Sequence, residues 1–169
     1  MGEPGEFDSY VAAAWPRLMR SAWLLTHDWQ LAEDLLQVAL VKTAARWRRV
    51  RGGSPDGYVR RVLATTYLSW WRRRWRGEVP TAELPEPAGP VDATAAVDLR
   101  TSLAGALAAL PRQQRAVLML RYHADLTETE TAAVLGISVG TVKSHTSRAL
   151  AALRGHPEIR GLLVEEGTT

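Results

Sequence analysis

The sequence predicts an all-α protein of two small helical domains joined by a proline-rich linker. The expected boundaries are a three-helix domain over residues 1–76, a linker over 77–92, a helix-turn-helix domain over 93–155 and a tail over 156–169. Three observations predict this. Apolar residues recur at three- and four-residue spacing in both halves, the periodicity of an amphipathic helix. Neither half shows the apolar–polar alternation bounded by turn residues that a half-buried strand needs. The stretch from Glu78 to Pro90 holds four prolines and no periodicity, so it reads as an extended, partly stiff connection.

In the first half, Phe7, Tyr10, Val11, Ala14, Leu18, Ala22 and Leu25 keep helical spacing, with a kink expected at Pro16, which has no backbone N–H to donate. A second helix is expected to take Asp28 as N-cap and run through Leu31, Leu35, Val38, Val41 and Ala45 to about Val50. The segment RGGSPD breaks it. Asp56 is then expected to cap a third helix with an apolar face of Val59, Val62, Leu63, Thr66 and Trp70, ending in WWRRRWR. Trp15, Trp23, Trp29 and Trp47 are expected in the core or at its edge, since so small a domain needs large apolar side chains.

In the second half, a helix from about Ala93 to Leu110 precedes Pro111, which suits the first turn of the helix RQQRAVLMLRYH. Thr127 and Glu130 have the spacing of a capping box, opening a short helix over Ala132, Ala133 and Leu135. Gly136 permits a left-handed turn, Ile137 fills the core, and Ser138 caps a further helix through Val139, Val142, Thr146, Ala149, Leu150 and Leu153. Ala132, Gly136 and Val142 together have helix-turn-helix spacing: a small residue for close approach, a turn glycine and an aliphatic residue that packs the second helix on the first. The outer face then carries Gly140, Thr141, Lys143, Ser144, His145, Ser147 and Arg148, small hydroxyls and bases without an acid among them. Such side chains reach phosphates and base edges.

Composition narrows the function classes. With 169 residues, no cysteine, 23% charged and 46% hydrophobic residues, the chain fits neither a collagen, a disulfide scaffold nor a thiolate metal site. Its apolar runs are too short to span a bilayer, and the acidic start MGEPGEFD is unlike a signal peptide, so a cytoplasmic protein is expected. His27, His123, His145 and His156 lie in different elements without metal-ligand spacing. No catalytic grouping, phosphate-cradling glycine loop or nucleotide fingerprint occurs, and neither an enzyme, a cofactor nor a small-molecule substrate is expected.

Net charge is only +3, but residues 42–76 hold eleven bases against Asp56 alone, between acidic stretches on either side. Such a block reads as a polyanion footprint, because so many like charges repel unless something neutralises them. Trp71 and Trp75 alternate with Arg72, Arg73, Arg74 and Arg76, a composition able to stack on unpaired bases while gripping their phosphates. Glu33 and Asp34 stand in the first turns of the second helix, where acids favour the positive helix terminus.

Two stretches resemble a known family. AEDLLQVALVKTAARW (32–47) with DGYVRRVLATTYLSWWRRR (56–74) is similar to region two, and the stretch from Leu110 to Arg154 is similar to region four, of bacterial RNA polymerase sigma factors. The resemblance is to the sigma-70 superfamily, its extracytoplasmic-function (ECF) class and the actinobacterial SigE-like group within it. Two patterns in the right order, separated by a proline-rich linker, are far more specific than a helix-turn-helix alone. The resemblance implies transcription initiation with core RNA polymerase, through the beta-prime clamp coiled coil and the beta flap, on promoter DNA, and it admits an anti-sigma factor as a partner. It places Glu33, Asp34, Leu36 and Gln37 at the polymerase. It places Arg48, Arg49, Arg51, Ser54, Asp56, Arg60, Arg61, Trp71, Arg72, Arg73 and Arg74 at the minus-ten element, where a flipped base is captured. Ser138, Thr141, Lys143, Ser144, His145, Ser147 and Arg148 fall at the minus-thirty-five element. The competing reading is a self-sufficient helix-turn-helix regulator, which would want a dimerisation surface and a ligand domain. A sequestering module would leave the basic block without a role.

Overall fold

The computed structural model describes residues 4–75 and 95–160, and every regular element among them is helical. The first module contains α1 (Pro4–Thr26), α2 (Trp29–Ala44), the single turn α3 (Trp47–Val50) and α4 (Pro55–Trp75); the second contains α5 (Ala95–Ala108), α6 (Arg112–Leu118), a π turn (Met119–His123), α7 (Glu128–Leu135) and α8 (Val139–Gly155). The linker expected over 77–92 lies outside the described residues, as does the tail beyond 160.

The first core forms where the apolar stripes of three helices meet. Ala14, Leu18, Ala22 and Leu25 of α1, Leu35, Leu36 and Ala39 of α2, and Val59 and Leu63 of α4 are all fully buried. Each buried leucine or valine is worth about 1.5–3 kcal/mol of transfer free energy. Asp28 caps α2 as its spacing predicts, its Oδ1 accepting from Leu31 N at 2.7 Å.

Pro16 lies within an unbroken α1, on its exposed side, where the missing backbone hydrogen bond faces water. Three other local expectations are corrected. The second helix does not reach Val50 in one piece. It ends at Ala44, and a turn at 45–46 redirects the chain into α3, which buries Trp47 and Val50 against the module. Asp56 is not the cap of α4. The helix begins at Pro55, and Ser54 supplies the cap, its Oγ accepting from Gly57 N at 3.2 Å. A Cβ on Gly57 would stand 2.8 Å from that oxygen, so the cap needs glycine there. Trp29, expected near the core, is 59% exposed and stacks on Trp23 with ring centroids 5.5 Å apart.

The second module closes around two smaller cores. Leu110 and Leu118 pack with Ala149, while Val117 packs with Ala132 and Val142 beneath Ile137. Gly136 at φ 65° makes the left-handed turn between α7 and α8, and Ala132 and Val142 are buried. The helix expected over 112–123 starts after Pro111 but widens into the π turn, closed by Ala124 N donating to Met119 O at 2.9 Å.

The two modules pack on one another. Ala116 and Met119 enter the core of the first module, and Ala64 of α4 is buried with Leu120 and Leu126. Arg115 bridges them. Its guanidinium donates to Leu25 O at the end of α1 and to Leu110 O at 3.1 Å, just past α5, serving carbonyls that helix ends leave without a partner.

Candidate nucleic-acid and polymerase interfaces

Three surfaces gather the residues singled out by the sequence. The first is the outer stripe of α2. Asp34 and Gln37 are exposed and Glu33 half-buried, with Gln37 Nε2 donating to Glu33 Oε1 at 3.4 Å. Leu36 departs from expectation: it is fully buried in the core of the first module and supports the stripe from below. The exposed apolar groups are Trp29 and Val41, the latter 72% exposed, and neither was anticipated there. Positions 29, 33, 37 and 41 are four apart, so the helical wheel already places them in one row. Carboxylates flanked by exposed apolar side chains suit a basic partner with an apolar seam.

The second surface is a cleft of about 560 Å³ lined by Arg46, Arg49, Gly53, Ser54, Gly57, Tyr58, Arg60 and Arg61, with Ala124, Asp125, Leu126 and Glu130 closing its far side. Arg46, Arg49 and Arg61 make no ion pair among the described residues. The structure therefore brings together Arg49, Ser54, Arg60 and Arg61 of the expected minus-ten set and adds Arg46 and Tyr58. Arg46 lay in the basic block of the sequence; Tyr58 gave no signal beyond being aromatic beside a basic loop.

Other members of that set lie elsewhere. Arg48 is exposed on α3. Arg51 turns to α1 and pairs with Glu6 at 2.9 Å. Asp56 accepts from Tyr10 Oη at 2.9 Å and from Arg17, whose guanidinium, with the tyrosine hydroxyl, holds the carboxyl below its ordinary range. Burial and the Asp56 carboxylate push the Tyr10 hydroxyl upward in turn. Trp71, Arg72 and Arg73 are carried about 15 Å further along α4; the two arginines are exposed and Trp71 is half-buried. The side chain of Arg74 lies outside the described residues.

The third surface is the helix-turn-helix. Thr127 Oγ1 accepts from Glu130 N at 3.1 Å while Glu130 Oε2 accepts from Thr127 N at 2.8 Å, a complete capping box at the start of α7. These bonds hold the Glu130 carboxyl below its ordinary range. Lys143, Ser144, Ser147 and Arg148 are exposed on α8, with Thr141 and His145 half-buried. Lys143 Nζ stands 3.8 Å from Glu128 across the turn. Ser138 serves the fold first, its Oγ accepting from Thr141 N at 3.0 Å as the N-cap of α8. No group of three or more metal-ligating side chains occurs among the described residues.

A basic cleft on one helical module and a helix-turn-helix on the other define a bipartite nucleic-acid-binding protein. Comparison with known proteins names the class more closely. Residues 11–77 match the family model Sigma-70 region 2, and residues 100–153 match Sigma-70, region 4. The chain is 46% identical to the RNA polymerase sigma-E factor of Streptomyces coelicolor, over 91% of this chain and 87% of that protein. It is 44% identical to the sigma-E factor of Streptomyces avermitilis, covering 95% and 90%. The ECF RNA polymerase sigma factor SigL of Mycobacterium tuberculosis is 33% identical, covering 88% and 84%. Among solved structures, the sigma factor RpoE in complex with the anti-sigma factor NepR from Bartonella quintana shares the fold, with a TM-score of 0.60 and 24% identity over 89% of this chain and 95% of that one. The chain belongs to the sigma-70 family of RNA polymerase sigma factors, in its ECF class.

Proposed function

We propose that the chain is an alternative sigma factor: it binds core RNA polymerase and directs promoter-specific initiation of transcription. The observation that carries this reading is the pairing of a basic first module with a helix-turn-helix second module in one chain, both matching sigma-70 regions. In this reading residues 1–76 form region two, 77–92 the linker and 93–155 region four. Glu33, Asp34 and Gln37 on α2 meet the polymerase clamp, with Trp29 and Val41 as apolar contacts in place of buried Leu36. The cleft of Arg46, Arg49, Ser54, Arg60 and Arg61 holds the displaced strand at the minus-ten element. Lys143, Ser144, His145, Ser147 and Arg148 face the minus-thirty-five element.

The physical logic is one of summed weak contacts. Two small modules bind DNA feebly alone; the polymerase surface fixes their spacing and makes the second contact effectively intramolecular. Melting is driven by capturing a flipped base, which offsets a few kcal/mol of unstacking. The mechanism requires no cofactor.

The deciding experiment is titration of the purified protein onto sigma-free core polymerase of its host, followed by run-off transcription from fragmented genomic DNA. Co-elution with new start sites is expected. A folded protein that neither binds active core nor creates start sites would replace this reading with that of a self-sufficient regulator.

A further inference from the structure

We propose that the first half of α1 braces the loop between α3 and α4, and that Glu6, Tyr10 and Arg17 are positioning residues for capture of the minus-ten strand. The inference rests on the role proposed above for the basic cleft, and it adds residues that do not line that cleft.

The loop has little of its own to fix it. It consists of Arg51, Gly52, Gly53 and Ser54, and two adjacent glycines give the backbone more freedom to lose on ordering. Gly53 N donates to Val50 O at 3.1 Å, and Ser54 Oγ accepts from Gly57 N at 3.2 Å. At the tip, a Cβ on Gly52 would meet open space.

Constraints at both ends come from α1. At the loop's entry, Glu6 Oε2 accepts from Arg51 Nη1 at 2.9 Å. Past its exit, in the first turn of α4, Asp56 Oδ1 accepts from Tyr10 Oη at 2.9 Å and from Arg17 Nη2 at 3.1 Å. Positions 6, 10 and 17 fall within about 40° of one another around a helix, so one face of α1 serves both ends. Between them Trp47 of α3 packs on Phe7 and Tyr10, with ring centroids 5.2 and 5.0 Å away, which fixes the segment that carries Arg46 and Arg49. Asp56 Oδ2 also stands 4.0 Å from Arg60 Nη2, so the contacts made by α1 extend to a cation of the cleft. A loop held in advance in its binding shape does not charge its ordering entropy against the strand.

Full-length variants assembled with core polymerase test the brace. Tyr10→Phe keeps the ring on Trp47 and removes only the hydroxyl. It is expected to weaken holoenzyme binding to a fluorescein-labelled single strand, carrying the minus-ten segment of a mapped start site, by about fivefold, with affinity for core unchanged. Glu6→Arg is expected to act alike by repelling Arg51, and Glu6→Arg with Arg51→Glu to restore strand binding by re-forming the pair in reverse. A general loss of stability would lower core and strand binding together, and the swap would not rescue it. In the free chain, hydrogen exchange at residues 51–57 is expected to quicken in both single variants. Wild-type strand affinity in both, unchanged exchange, a matching fall in core affinity, or a swap that binds strand no better than Glu6→Arg overturns the brace. A wild-type chain that creates no start site with core removes the sigma reading instead; the exchange rates, with a mixed-sequence single strand as the probe, then still decide the brace.

Discussion

Asp56 shows how neighbours reassign a residue. Its sequence context suggests a helix cap or a DNA-facing acid, but α1 brings Tyr10 and Arg17 to it and makes it the tie between α1 and the start of α4. Asp56→Ala is expected to cost about 1–2 kcal/mol, because Tyr10 loses its acceptor in a partly buried site. Arg17→Ala is expected to cost only about 0.5 kcal/mol, since its guanidinium is half exposed to water. Urea denaturation of the full chain would separate the two, and equal losses would show that the ion pair, not the buried hydroxyl bond, dominates. On α8, replacing Lys143 and Arg148 by alanine is expected to weaken promoter binding by the polymerase complex. The slope of log affinity against log salt should flatten by about two. An unchanged slope would mean that neither cation meets a phosphate.

At the scale of elements, α2 and the helix-turn-helix behave differently. The outer stripe of α2 is built for a partner, so Asp34→Arg and Trp29→Ala are each expected to weaken binding to core polymerase while leaving helicity unchanged. Fluorescence titration with core measures this, and undiminished affinity in both variants would move the polymerase contact off α2. The turn between α7 and α8 is built for geometry. Gly136→Ala forces a side chain into the left-handed region and is expected to cost about 1–2 kcal/mol. Thr127→Ala removes one half of the capping box and is expected to cost about 1 kcal/mol. Thermal unfolding followed at 222 nm by circular dichroism, a backbone band, would show both, and a Gly136→Ala chain as stable as the wild type would contradict a strained turn.

For the whole molecule, the seam between modules carries two histidines held neutral. Burial and the neighbouring Arg115 push His27 down from an ordinary 6.5 to about 4, and burial with Arg60 lowers His123, against which Asp125 pulls upward. A histidine whose value is depressed in the closed state binds its proton more readily when the seam opens. Closure is therefore fully supported above about pH 6.5 and loses support as the pH falls toward about 4. Energy transfer between the modules, measured from neutral pH to pH 5 at constant ionic strength, is expected to decline. His27→Asn, which tolerates the left-handed backbone at φ 53°, is expected to flatten that decline. An unaltered decline in this variant would assign the titration to other groups.

The sequence by itself determined the helical periodicity, the Asp28 and Ser138 caps, the capping box, the turn glycine and the basic block, because each depends on residues within a few positions of one another. It also carried both family patterns, and with them the proposed polymerase and DNA roles. Only the tertiary structure decided that Leu36 faces inward while Trp29 faces out, that Asp56 ties α4 to α1, and that residues 124–126 and Glu130 of α7 close the far side of the cleft. These depend on which surfaces are buried against each other. The Ser21–His123 contact joins residues 102 positions apart, and a periodicity that tells an apolar face from a polar one does not tell which other face will cover it.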